Sequence, residues 1–252
     1  MAKKLEEEYG TKVLMNVPEV DQVDLSAFSE GKAKETRRFH ESIPAYNRTP
    51  MVQLRGLGGK LGVKGIFVKN EAERFGMKAF KGLGGTYAMF RILCRELGLD
   101  PGKVDFSEFQ KADVREKTAK YTFVTATDGN HGKGVSWASG LFGAHAYVYM
   151  PKGTVKAREE AVRQAGPAEV TVTDWNYDDT VKYAKKMSEE HGWFLIQDTS
   201  WDGYEEIPGW IMDGYLTMAS EAAEQTEAAG EIPTHVFLQA SAPWRGLSQD
   251  IL

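Results

Sequence analysis

The sequence predicts an α/β fold built on a parallel sheet. Three observations carry that reading. Short β-branched and aromatic runs alternate with longer amphipathic stretches between residues 121 and 197. The connections between them are short and rich in glycine and aspartate. The chain has 252 residues, 42% of them hydrophobic, enough for a sizeable buried core. Each strand that follows a helix crossover lies parallel to the one before it, so repeated strand–helix–strand units place helices on the faces of a common sheet.

Taken in order, residues 1 to about 45 are polar and mixed and read as an N-terminal arm. Gly65 to Lys69 is a short buried strand. Ala79 to Leu97 carries Leu83, Tyr87, Phe90, Leu93 and Cys94 at helical spacing. Residues 98 to 118 form a polar connection, with Asp100-Pro101-Gly102 as a turn signal. Strands follow at Tyr121–Thr125, Ala146–Met150, Val170–Thr173 and Trp193–Gln197, separated by helices at Gly132–Phe142, Val155–Gln164 and Tyr177–Glu190. A long helix spans Ile207 to Ala229, and a last strand covers His235 to Gln239. No internal repeat or low-complexity stretch interrupts this order.

Composition narrows the function classes. Charged residues make up 27% of the chain, the formal net charge is -5 and no basic stripe occurs, which argues against nucleic acid as a partner. The one cysteine, Cys94, has no internal partner for a disulfide, in keeping with a reducing compartment. The N-terminal Met1-Ala2-Lys3-Lys4 is not followed by an apolar core, so it does not read as a secretory signal. No apolar run approaches the roughly 20 residues that span a bilayer. A cytoplasmic protein with no membrane partner is the expectation.

Three stretches carry residues of chemical interest. Thr127-Asp128-Gly129-Asn130-His131-Gly132 lies between a strand and a helix, at the carboxyl edge of the sheet where open α/β folds bind ligands. Its glycines allow close approach, and the backbone N–H groups at the helix start face outward. Asp128 suits a general base where the closed site is apolar enough to raise its pKa, and Asn130 a donor to a phenolate oxygen. A plain turn also explains Asp-Gly and Asn there, and His131 alone reads more often as a structural or capping histidine than as a catalyst. The second stretch runs from Lys69 to Gly85. In it Lys81 opens a helix between Phe80 and a glycine cluster, and a lysine among apolar groups forms imines with aldehydes; the bland alternative is a solvated helix-end lysine. The third, Gln197-Asp198-Thr199-Ser200-Trp201-Asp202-Gly203-Tyr204, puts Asp198 on the same sheet edge as Asp128, where it serves as a second carboxylate or as a cap.

Taken together, Arg74-Phe75-Gly76 with Ala79-Phe80-Lys81, the Asp128-Gly129-Asn130-His131-Gly132 loop, Asn176-Tyr177-Asp178-Asp179, and Gln197-Asp198-Thr199 with Trp201 and Gly203-Tyr204 resemble diaminopropionate ammonia-lyase, from about Phe39 to Ala240. The wider relatives are the fold type II pyridoxal-phosphate enzymes, whose dehydratases usually carry serine where this chain has Asp128. The resemblance implies two parallel-sheet domains flanked by helices, a large one from 1–87 plus 198–252 and a smaller one at 88–197, with pyridoxal 5'-phosphate as cofactor. It implies that Lys81 is the Schiff-base lysine and that Asn130 hydrogen-bonds the pyridoxal hydroxyl. Phe80, Gly129 and His131 complete the implied cofactor contacts. Asp128 is implied to remove the α-proton of a D-substrate and Asp198 that of an L-substrate, giving pyruvate and ammonia from 2,3-diaminopropionate. An amino acid substrate and a homodimer follow from the same resemblance. A serine/threonine dehydratase-like lyase and an inactive fragment are the alternatives. Lys78 departs from the asparagine usual in the family.

The resemblance breaks at the end. The family continues with a phosphate-cradling loop, Gly-Val-Gly-Ala-Met-Ala-Gly, where this chain reads Ser241-Ala242-Pro243-Trp244-Arg245-Gly246 and ends at Leu252. One choice of codons for that loop, GGC-GTC-GGC-GCC-ATG-GCG-GGG, read one base late spells Ala-Ser-Ala-Pro-Trp-Arg-Gly, which matches the residues from Ala240 to Gly246. A frameshift or truncation, an incomplete large domain, exposed apolar faces and weakened cofactor binding are the corresponding expectations.

Overall fold

A computed structural model describes residues 28–238. Its centre is a four-stranded parallel sheet of β3 (Thr122–Ala126), β4 (His145–Met150), β5 (Glu169–Val172) and β6 (Phe194–Leu195), in the order β5-β4-β3-β6. The alternation read from the sequence produces these elements: α5 (Asn130–Phe142), α6 (Lys156–Ala165) and α7 (Tyr177–His191) carry the chain between successive strands. β3 is central, and its residues 123–126 are buried. Period-two alternation divides it: Phe123 joins the core that also holds Val148 and Ile196, while Val124 and Ala126 face the second cluster with Leu195 and Ala184 of α7. The sharp helix ends have a local cause. α5 and α7 stop at Gly143 and Gly192, with φ of 68° and 67°, a conformation that costs other residues a steric penalty.

Around this sheet pack α3 (Lys81–Leu97) and α8 (Glu206–Ala228). Glycines set how closely. A Cβ on Gly214 of α8 would lie 2.7 Å from the Cα of Gly84 and 2.7 Å from the carbonyl oxygen of Leu83. A Cβ on Gly134 of α5 would lie 3.0 Å from the carbonyl oxygen of Lys81. The three helices therefore meet backbone to backbone at the start of α3, which fixes where Lys81 begins its side chain. No helix among the described residues is long and apolar enough to cross a membrane.

Four elements differ from the sequence reading. Part of the polar arm is a helix, α1 (Glu30–Glu41), capped by Ser29, whose hydroxyl accepts from the Lys32 amide. It docks because Phe39 is fully buried and stacks on Phe90 with ring centroids 4.0 Å apart, a burial that stabilises by about 1.5–3 kcal/mol. The 98–118 connection contains a 3-10 turn (Phe106–Gln110) and α4 (Ala112–Thr118); Phe106 and Phe109, one turn apart, pack against Phe142. The strand read at 65–69 is β2 (Phe67–Lys69), paired antiparallel with β1 (Met51–Gln53) and separate from the parallel sheet. Between them lies the short helix α2 (Arg55–Leu61). The last expected strand does not form among its described residues. Residues 235–238 pair with no strand among the described residues, and Val236, Phe237 and Leu238 are exposed. Gln239 and the divergent tail lie outside the described residues.

Candidate active site

Lys81 is presented by a segment held in unusual backbone conformations. Between residues 71 and 80 the chain makes a 3-10 turn (Glu71–Gly76), and Phe75 and Lys78 take φ of 51° and 57°. Left-handed φ at bulky residues costs about 1–3 kcal/mol each and persists where surrounding contacts enforce it. Here the enforcing contact is Arg74, which is fully buried. Its guanidinium donates to both carboxylate oxygens of Glu71 (2.8 and 2.8 Å), to both of Glu221 on α8 (2.9 and 2.8 Å), to the Asn47 carbonyl and to the Thr49 hydroxyl. Lys69 adds a further charge on Glu221, and Tyr46 a hydroxyl. Phe75 then stacks on Trp137 of α5 at 4.5 Å, and Lys81 follows as the first residue of α3.

The Lys81 amine donates to Asp198 Oδ2 at 2.8 Å. Both side chains are largely buried, 21% and 10% exposed. Burial pushes the Asp198 carboxyl up, but His131 and Lys81 outweigh it, so its pKa lies below the usual carboxylate value and it is an anion at neutral pH. His131 is buried; its Nε2 donates to the Ile196 carbonyl oxygen at 2.7 Å, since that oxygen only accepts. Its Nδ1 then faces Asp198 Oδ2 at 3.7 Å, with no hydrogen-bond partner among the described residues. Phe80 and Tyr215 form an apolar wall: their rings meet edge to face at 5.0 Å, and the Lys81 nitrogen lies 5.4 and 5.9 Å from the two ring centres.

Lys81, Phe80, His131 and Asp198 thus converge. Asp128, Gly129 and Asn130 form the neighbouring rim. The Asp128 side chain is 74% exposed, with its carboxylate 3.6 Å from Arg158, and no ion pair joins it to Lys81 among the described residues. Asn130 is exposed at the start of α5. The loop folds around Thr127, whose hydroxyl accepts from the amides of Gly129 and Gly132 at 3.0 and 3.2 Å.

Several site residues carry no clear signal in the sequence. Gln197 accepts from the Ala126 amide and donates to the Tyr177 hydroxyl at 3.1 Å, tying β3 to α7. Burial, then the charges of Asp198 and Asp128, push the Tyr177 phenol up to about 12, so it remains a proton donor at neutral pH. Thr127, Tyr177 and Gln197 stand inside stretches quoted above, which mark their positions without assigning them a role. Tyr215 lies in an apolar helical run that reads as core.

An amine beside a carboxylate, against an aromatic wall, is an arrangement for covalent carbonyl chemistry. The model of the family described as pyridoxal-phosphate dependent enzyme matches residues 43–242. The chain belongs to that family. It is 48% identical over 213 residues to diaminopropionate ammonia-lyase of Escherichia coli (strain K12), covering 84% of this chain and 52% of that protein. The Salmonella typhimurium diaminopropionate ammonia-lyase is likewise 48% identical, with 86% of this chain and 54% of the relative covered. The crystal structure of the Escherichia coli enzyme in complex with an aminoacrylate-PLP azomethine reaction intermediate superposes with a TM-score of 0.78 at 47% identity, covering 85% of this chain and 53% of that one. The chain therefore spans about half the length of the relatives it matches. The residues in place fit pyridoxal phosphate: a lysine amine, aromatic faces beside it, and two buried polar atoms, His131 Nδ1 and the Tyr215 hydroxyl, without partners among the described residues.

Proposed function

We propose that this chain carries the lysine-bearing part of a pyridoxal-phosphate ammonia-lyase that releases ammonia and pyruvate from 2,3-diaminopropionate. The observation that supports it best is the 2.8 Å pair of Lys81 and Asp198, in a chain that is 48% identical over 213 residues to that lyase. Lys81 is the residue that would hold the cofactor, with Phe80, Gly129, Asn130 and His131 around it. When bound, pyridoxal phosphate supplies an electron sink for the carbanion formed at the substrate α-carbon.

The side chains divide the proton handling. Asp198, kept ionised and hydrogen-bonded to the Lys81 amine, is the acceptor for the α-proton of an L-amino acid. It needs no reorganisation to exchange that proton with the amine beside it. Asp128, on the neighbouring rim and open to solvent, takes the corresponding role for a D-amino acid. His131, pinned by the Ile196 carbonyl, keeps Nδ1 directed at Asp198. The wall of Phe80 and Tyr215 excludes water from one side of the amine, which strengthens the charges inside.

The same reading assigns 88–197 to a smaller domain and the flanking segments to a larger one; all four parallel strands falling between 122 and 195 support it. A homodimer and a cytoplasmic location belong to this reading as well. The test is release of pyruvate and ammonia by the full chain with added cofactor, on D- and L-diaminopropionate and on serine. Turnover of both diaminopropionate isomers above serine is the expected result. Preference for serine would replace the reading with a dehydratase, and no turnover with bound cofactor would leave a binding fragment.

A further inference from the structure

The ring of Tyr215 walls one side of the Lys81 amine, but its hydroxyl has no assigned contact in the reading above, and its surroundings are those of a ligand-facing group. Its ring is locked. A Cβ added at Gly84 would lie 2.8 Å from its Cε1 atom, and Phe80 meets it edge-on at 5.0 Å. The Lys81 amine lies 5.9 Å from its centre. Its hydroxyl is buried and has no hydrogen-bond partner among the described residues. Burial, then the charge of Asp198, holds the phenol far above its ordinary pKa, so the oxygen keeps its proton at any physiological pH. A buried hydroxyl without a partner is destabilising, and a core position facing only apolar groups would be served better by phenylalanine. The other orphaned atom in this region, His131 Nδ1, lies on the same Asp198.

We propose that the Tyr215 hydroxyl is a ligand-binding donor of the Lys81 site, unpaired in the free chain and satisfied by an anionic oxygen of the molecule bound there. That oxygen belongs either to the pyridoxal cofactor or to the carboxylate of the amino acid; the chemistry required of Tyr215 is the same. The inference rests on the cofactor reading above. It adds a residue, on α8, that no motif of the sequence singles out.

The isosteric change Tyr215→Phe tests it with two readouts on the full chain. In the absence of ligand, the variant melts at or above the wild-type temperature, because it loses an unsatisfied group and no contact. A fall of more than about 3 °C, on the order of 1 kcal/mol for a chain of this size, would show that the hydroxyl is already paired and would overturn the inference. With ligand, pyridoxal phosphate is titrated by the lysine-dependent absorption band, and diaminopropionate by its change in that band. About tenfold weaker binding (about 1.4 kcal/mol) of the cofactor places the oxygen on the cofactor. An unchanged cofactor affinity with about tenfold weaker binding of diaminopropionate places it on the amino acid. Unchanged affinity for both, in a wild-type chain that gives the band, refutes the role of Tyr215 alone. No band in the wild type sinks the cofactor reading and this inference with it.

Discussion

Replacing Arg74 by methionine isolates the charge network behind Lys81. The arginine is fully buried and saturates two carboxylates, Glu71 and Glu221, each through both oxygens. Methionine fills similar space without charge, so both carboxylates lose their bidentate partner; Glu71 retains the Thr49 hydroxyl, and Glu221 retains Lys69 and Tyr46. Removing one side of such a buried pair costs about 3–5 kcal/mol, because the remaining charge stays desolvated. For a chain of this length that corresponds to a fall in Tm of about 6–20 °C. The pH dependence has a definite sign. Burial pushes the Glu221 carboxyl up, but hydrogen bonds from Arg74, Lys69 and Tyr46 outweigh it and bring it from 4.5 to about 2. A depressed folded value contributes stability above the unfolded pKa, and that contribution is lost as pH falls from 4.5 towards 2. In Arg74→Met the folded value moves back up, so the acid limb flattens over that window. Calorimetric unfolding of both proteins between pH 2 and 7 measures both effects. A loss below about 1 kcal/mol at pH 7, with an unaltered acid limb, would refute the claim that Arg74 anchors the segment leading to Lys81.

Two further perturbations probe the frame. Gly214→Ala drives a methyl to within 2.7 Å of the Gly84 Cα, against backbone that cannot swing aside, so thermal unfolding should show a loss of about 1–3 kcal/mol; a neutral result would mean that α3 and α8 do not touch there. His40 joins α1, α3 and α8 through the Thr217 hydroxyl (2.7 Å) and the Leu83 carbonyl (3.0 Å), and burial lowers its pKa from 6.5 to about 3. A base whose folded pKa is lowered stabilises above its unfolded value, so this contribution is complete above pH 6.5 and lost as pH falls towards 3. His40→Gln should flatten the stability profile between pH 6.5 and 3, and an unchanged slope in denaturant titrations would contradict that assignment.

What the sequence made legible follows the physics of each signal. The strands and helices from 121 to 197 were readable because period-two and period-3.6 patterns alternate with clear turn residues, as at Asp128-Gly129 and Asn176. Lys81 at a helix start and Asp198 just beyond a strand were readable as positions. Their 2.8 Å contact was not, because it joins residues 117 apart and depends on where α3 crosses the sheet edge. The α1 helix was hidden by its charged outer face, since one buried strip of Thr36, Phe39 and His40 suffices to dock it. The strand expected at 235–239 had the right composition, but composition does not supply a neighbour to pair with. Tyr215 was illegible for the opposite reason: an apolar helix face reads as core, and only the packing shows an unpaired hydroxyl on a ring beside Lys81.

The most direct measurement is the visible absorption spectrum of the full chain with pyridoxal phosphate, for the wild type and Lys81→Ala. A band present in the wild type, absent in Lys81→Ala and altered by diaminopropionate is the predicted result. A soluble, folded wild type whose spectrum matches that of Lys81→Ala would contradict the assignment of Lys81 as the cofactor-holding residue.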